Sequence, residues 1–144
     1  MMRTKQQGFT MIEILLVVII ISVLAAMIVP NFVGKGQKAR LSAAKADIES
    51  NLTLALDMYE LENGTYPSTE QGLKALVVKP QSSPVPEDWS GPYLKKKKIP
   101  TDPWGREYQY SAPGVKNPES YDLFSFGPDG VESDDDITNW YEIE

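Results

Sequence analysis

The chain has 144 residues, 42% of them apolar and 24% charged, with a formal net charge of −6. That size suits one domain with an extra element, and the composition excludes wholesale disorder. The absence of cysteine and histidine excludes a disulfide framework, a thiolate or ordinary zinc site, a cysteine nucleophile and any His-based triad, and the acidic balance argues against nucleic-acid binding.

The charge is unevenly spread. Residues 1–8 carry Arg3 and Lys5 and no acid, and residues 9–29 are apolar except for Thr10, Glu13 and Ser22. As a helix this run spans roughly 31 Å, close to the ~30 Å hydrocarbon core of a bilayer. A cleaved secretory signal peptide has a shorter apolar core and a small-residue cleavage site, whereas Pro30 and Asn31 follow this one. A signal anchor fits the length, and Arg3 and Lys5 would keep the N-terminus in the cytoplasm. Glu13 is not explained by anchoring, since a carboxylate within a span costs roughly 2.5–3.5 kcal/mol on insertion scales. Either it snorkels to the interface or it pairs with a cation, and no Lys or Arg lies between Lys5 and Lys35.

Pro30 should kink the helix where it leaves the apolar run, with Gly34 and Gly36 weakening the next turn. Leu41, Ala44, Ile48, Leu52, Ala55, Leu56 and Tyr59 then recur at three- and four-residue spacing, predicting an amphipathic helix with one stripe on a core. Asn63 and Gly64 form its stop, so residues 9–62 make one long, interrupted helix. Ser68 and Gln71 read as a capping box opening a short helix through Val77. Residues 80–103 hold six of the eleven prolines and the lysines 95–98, predicting an irregular connection. The lysines either form a solvated loop or touch acidic lipid heads or an acidic neighbour. Strand signals fall at 107–111, 121–126 and 137–142. The fold class is α+β, a helix on a small antiparallel sheet.

Between Asn117 and Glu144 there are nine acids and no Lys or Arg. The loop at 126–136 holds four of the Asp and one Glu, with Pro128 and two glycines for tight turns. Calcium takes six to eight oxygens from carboxylates and carbonyls, yet the EF-hand spacing is absent, so a solvated acidic turn stands as the alternative. A head of about 80 residues often needs a staple, and five carboxylates gathered without a cation repel one another.

The string GFTMIE at residues 8–13, behind a basic leader and before an apolar run, resembles the class III signal of type IV pilins and type II secretion pseudopilins. The resemblance implies cleavage by prepilin peptidase after Gly8, N-methylation of Phe9, and pairing of Glu13 with a neighbouring subunit's N-terminal amine. Met11 stands where leucine is commoner. LDMY at 56–59, YPSTEQGL at 66–73, DPWG at 102–105, FGPDG at 126–130 and DDITNW at 135–140 narrow the resemblance to the major pseudopilins, the general secretory pathway protein G family.

That family implies a type IV pilin-like fold, a long N-terminal helix packed on a small C-terminal sheet with a calcium loop. It divides the chain into a cleaved leader (1–8), a transmembrane and assembly helix (9–29), the amphipathic half of the helix (30–64) and a globular head (65–144). One structural calcium is implied, on the side chains of Asp129, Asp135 and Asp136 and the carbonyl of Phe126, with the carbonyls of Val131 and Ser133 as further candidates. The implied function is a structural subunit, not an enzyme. It sits in the bacterial inner membrane as a single-pass protein, N-terminus cytoplasmic and head periplasmic. There it polymerises into a helical homopolymer that drives export of folded periplasmic proteins. Implied partners are its own copies, minor pseudopilins, prepilin peptidase, the inner-membrane assembly platform and membrane lipid, with no nucleic acid. Two other readings compete: a type IV pilin of a surface fibre for adhesion, motility or DNA uptake, and a membrane-anchored hydrolase using two loop acids. The missing cysteines, DPWG and the acidic loop favour the pseudopilin.

Overall fold

The computed structural model describes residues 8–141, apart from the side chains at 28–34. The chain divides into two units, Met1–Lys38 and Ala39–Glu144.

Helix α1, Met11–Ala46, opens in the first unit. The Glu13 N–H donates to Thr10 Oγ1 at 3.3 Å and to the Thr10 carbonyl at 3.1 Å, and the Thr10 N–H donates to Glu13 Oε2 at 3.4 Å, a reciprocal capping box at the helix start. Apolar side chains from Phe9 to Met27 are exposed. The Ser22 hydroxyl donates to the Val18 carbonyl at 2.7 Å, which pairs the polar group within the apolar run. Helical backbone continues through positions 30, 34 and 36, where a kink and a weakened turn were expected. Among the described residues no helix is long and apolar enough to cross a membrane; the expected span at 9–29 runs into residues 28–34, whose side chains lie outside the described set.

The irregularity falls instead in the second unit. A π-helical turn, Asp47–Leu52, follows α1 and leads into α2, Thr53–Asn63. Ala44, Ile48, Leu52 and Leu56 are all fully buried and all four residues apart. In an α-helix a four-residue step overshoots the turn by about 40°. The wider i→i+5 turn offsets that drift and keeps the buried stripe on one side. The Thr53 hydroxyl donates to the Ile48 carbonyl at 2.6 Å across this turn. Leu41, expected in the stripe, is 36% exposed and outside the core. Gly64 adopts φ +77° and donates its N–H to the Glu60 carbonyl at 2.7 Å, the left-handed stop that Asn63 and Gly64 signal.

Ser68 and Gln71 form the expected box: the Gln71 N–H donates to Ser68 Oγ at 3.3 Å and the Ser68 N–H to Gln71 Oε1 at 3.1 Å. The helix it opens is only a 3₁₀ turn, Leu73–Leu76, shorter than the expected run to Val77. The proline-rich connection is irregular. It is pinned by Trp89 Nε1 donating to the Ala75 carbonyl at 2.8 Å, and by Gln71 Nε2 donating to the Ser82 and Pro84 carbonyls at 2.9 Å each. Lysines 95–98 are exposed.

Strands β1 (Gln109–Ser111), β2 (Asp122–Ser125) and β3 (Ile137–Thr138) form an antiparallel sheet in the order β1-β2-β3, with Gln109 opposite Phe124 and Phe124 opposite Thr138. Leu123, Tyr121 and Tyr108 meet Ile48, Leu52, Leu56 and Tyr59 in the core. Hydroxyls stitch the two layers: Tyr121 donates to Thr53 Oγ1 at 3.0 Å and Tyr108 to Asp47 Oδ2 at 2.9 Å. The third strand is shorter than the expected 137–142. After Thr138 the Asn139 side chain takes over the pairing, accepting from the Leu123 N–H at 2.9 Å and donating to the Tyr121 carbonyl at 3.0 Å.

Candidate functional site

Two places carry the residues singled out from sequence. Gly8 and Phe9 precede α1, and Phe9 is 80% exposed. Glu13 is exposed and engaged with Thr10 in the capping box. The S/T-x-x-E signature of that box is readable in Thr10 and Glu13. Arg3 and Lys5 lie outside the described residues.

The second place is the loop at 126–136, between β2 and β3. Its entry is fixed by rings: Phe124 meets Phe126 and Trp140 edge to face, at 5.3 and 5.5 Å between centroids. The Phe126 carbonyl accepts the Gly130 N–H at 3.3 Å. Asp129 Oδ1 accepts the Val131 N–H at 3.1 Å, and Asp129 Oδ2 accepts the Ser133 hydroxyl at 3.2 Å. The same hydroxyl contacts Asp135 Oδ1, so Ser133 draws Asp129 and Asp135 together. The Ser133 carbonyl accepts the Asp136 N–H at 3.3 Å. Asp136 Oδ1 is buried without a hydrogen-bond partner. Burial raises the Asp136 carboxyl above its ordinary value; a backbone hydrogen bond from Ser133 opposes this, and the negative charges of Asp129, Asp135 and Glu132 add to it. An orphaned carboxylate oxygen beside gathered acids suits a hard, oxygen-seeking cation. Yet among the described residues no three acidic side chains stand close enough to form a ready metal cage. The donor types fit calcium, while the ring of ligands is not closed.

Three residues holding this loop were missed from sequence. The buried Asp102 accepts from the Trp104 and Arg106 N–H groups at 3.0 and 2.8 Å through Oδ1, and from the Ser125 hydroxyl at 2.7 Å through Oδ2. Ser125 Oγ in turn accepts the Gly127 N–H at 3.2 Å. The Arg106 guanidinium places Nε 3.8 Å from Asp102 Oδ2, within ion-pair range though Nε makes no hydrogen bond, and donates through Nη2 to the Gly127 carbonyl. DPWGR supplies the turn, but the partners at Ser125 and Gly127 lie too far along the chain for a spacing rule to reveal.

The family model for type II secretion system protein G matches residues 31–140, and that for the prokaryotic N-terminal methylation motif matches residues 3–29. The chain is 50% identical to the type II secretion system core protein G of Pseudomonas aeruginosa, over 97% of this chain and 99% of that one. It is 46% identical to the core protein G of Vibrio cholerae, over 94% and 92% respectively. The crystal structure of the major pseudopilin from the type 2 secretion system of enterohaemorrhagic Escherichia coli is similar at a TM-score of 0.65 and 44% identity, covering 74% of this chain and 87% of that one.

Proposed function

The chain belongs to the type II secretion system protein G family, and from that premise we propose how its two sites serve a self-assembling pseudopilus. It is a structural pseudopilin subunit; the secretion relatives support this reading over that of a surface-fibre pilin. Prepilin peptidase cleaves between Gly8 and Phe9 and methylates the new terminus. The apolar segment anchors the subunit once across the inner membrane, head in the periplasm, until the assembly platform adds it to a helical homopolymer tipped by minor pseudopilins.

The observation that carries this reading is Glu13, an acid within an apolar run that has no Lys or Arg between Lys5 and Lys35. Cleavage creates the missing cation, the amine of Phe9 on a neighbouring copy. Such a pair forms in a poorly solvating environment, where charge complementarity decides which subunit docks. The test is functional replacement in a bacterium lacking its own core protein G. Secretion should return with the wild-type chain and fail with Glu13→Val, even though that variant inserts at a normal level. Full secretion with Glu13→Val would overturn the reading.

The acidic loop takes one calcium ion, held by the carboxylates of Asp129, Asp135 and Asp136 and the Phe126 carbonyl, with Val131 or Ser133 carbonyls completing it. The buried, unpartnered Oδ1 of Asp136 supports this assignment. Bound there, calcium supplies the charge compensation and cross-link that a cysteine-free head otherwise does without.

A further inference from the structure

We propose that Arg106 is the positioning residue of the acidic loop: its guanidinium, in ion-pair range of Asp102 and bonded to the Gly127 carbonyl, fixes residues 126–130 before any cation arrives and leaves 131–136 to close on the ion. That second half rests on the calcium reading; the first does not.

The loop is built unevenly. Gly127 is buried with both of its backbone groups engaged, the N–H on Ser125 Oγ and the carbonyl on Arg106. Residues 131–135 are exposed. Ser125 Oγ also donates to Asp102, whose side chain is only 1% exposed, so the entry strand, the 102–106 turn and the loop share one hydrogen-bonded knot. Gly130 shows how closely the guanidinium is seated. It has φ +77°, which favours glycine, and a Cβ there would lie 2.9 Å from Arg106 Cζ, so the guanidinium rests directly against the loop backbone. Arg106 is thus the positive group at the root of a loop with no Lys or Arg of its own. Lysine would keep the charge, but it has one head group and no planar fork to reach both partners.

The test is residue-resolved amide exchange on the full mature chain in detergent micelles. In EDTA, Arg106→Gln should speed exchange at Gly127 and Gly130 about tenfold or more, the usual effect of losing a charged hydrogen bond, and leave the Leu52 and Leu56 amides unchanged. Arg106→Lys should behave as Arg106→Gln does. Unchanged exchange at Gly127 and Gly130 would overturn the proposal. So would full rescue by lysine, or equal acceleration throughout the head, which marks a general structural role. In a second arm, calcium chloride titrated by calorimetry should bind Arg106→Gln about tenfold more weakly than wild type. If wild type binds no calcium, the calcium reading fails, while the EDTA arm still decides the role of Arg106.

Discussion

Tyr121 illustrates how one side chain ties layers together and sets a pH limit. Burial raises its phenol to about 12, even though the Thr53 hydroxyl beside it pulls the other way. Burial pushes Tyr108 and Tyr110 higher still. A folded value above the ordinary ~10 means that the stabilising contribution is complete below about pH 10 and is lost as pH rises toward 12. The urea midpoint should therefore fall across that window, and less steeply for Tyr121→Phe. A parallel decline in both proteins would contradict this. Asp135 answers the calcium question on the same scale. Calcium at 100 times its dissociation constant adds about 2.7 kcal/mol, or roughly 10–20 °C in a head of this size. EDTA should lower the melting temperature of wild type by about that much and barely move Asp135→Ala; equal melting of wild type with and without EDTA would leave the loop a solvated turn. The acids were legible from sequence because they cluster within eleven positions. Arg106 was not, because its partners are set by how β2 lies against the 102–106 turn.

At the scale of elements, the long helix shows both what periodicity conveys and where it stops. Gly64 ends α2 where the Asn63–Gly64 pair says it should, since a left-handed residue there costs glycine nothing. The stripe of Ala44, Ile48, Leu52 and Leu56 also lies where spacing places it. The π-helical turn went unread, although successive four-residue steps are its signature: an α-helix of alternating threes and fours needs no correction. Asn139 likewise shortens β3 because a side-chain amide can stand in for a peptide group, a substitution invisible to strand propensity. In the detergent-solubilised subunit, Leu52→Ala should cost about 2–5 kcal/mol, since it opens a cavity in the middle of the core. Leu54→Ala, two residues on and 63% exposed, should stay within about 0.5 kcal/mol. Denaturant unfolding measures both; equal losses would show that the buried face has been assigned wrongly.

For the whole molecule, the division of labour follows composition. On the proposed reading, the apolar first segment holds the acid that a neighbour's amine answers, and the head supplies a small sheet whose acidic loop would close on one cation. Each half prepares a different contact of the fibre subunit, the first between copies and the second within the head. The first would depend on processing, because on this reading the amine that Glu13 needs does not exist until the leader is removed. The most direct measurement is the intact mass of the subunit extracted from assembled fibres, made in cells that carry a complete type II secretion apparatus. The mass should correspond to a chain beginning at Phe9 and bearing one added methyl group. Fibres built from chains that still begin at Met1 or Met2 would contradict it.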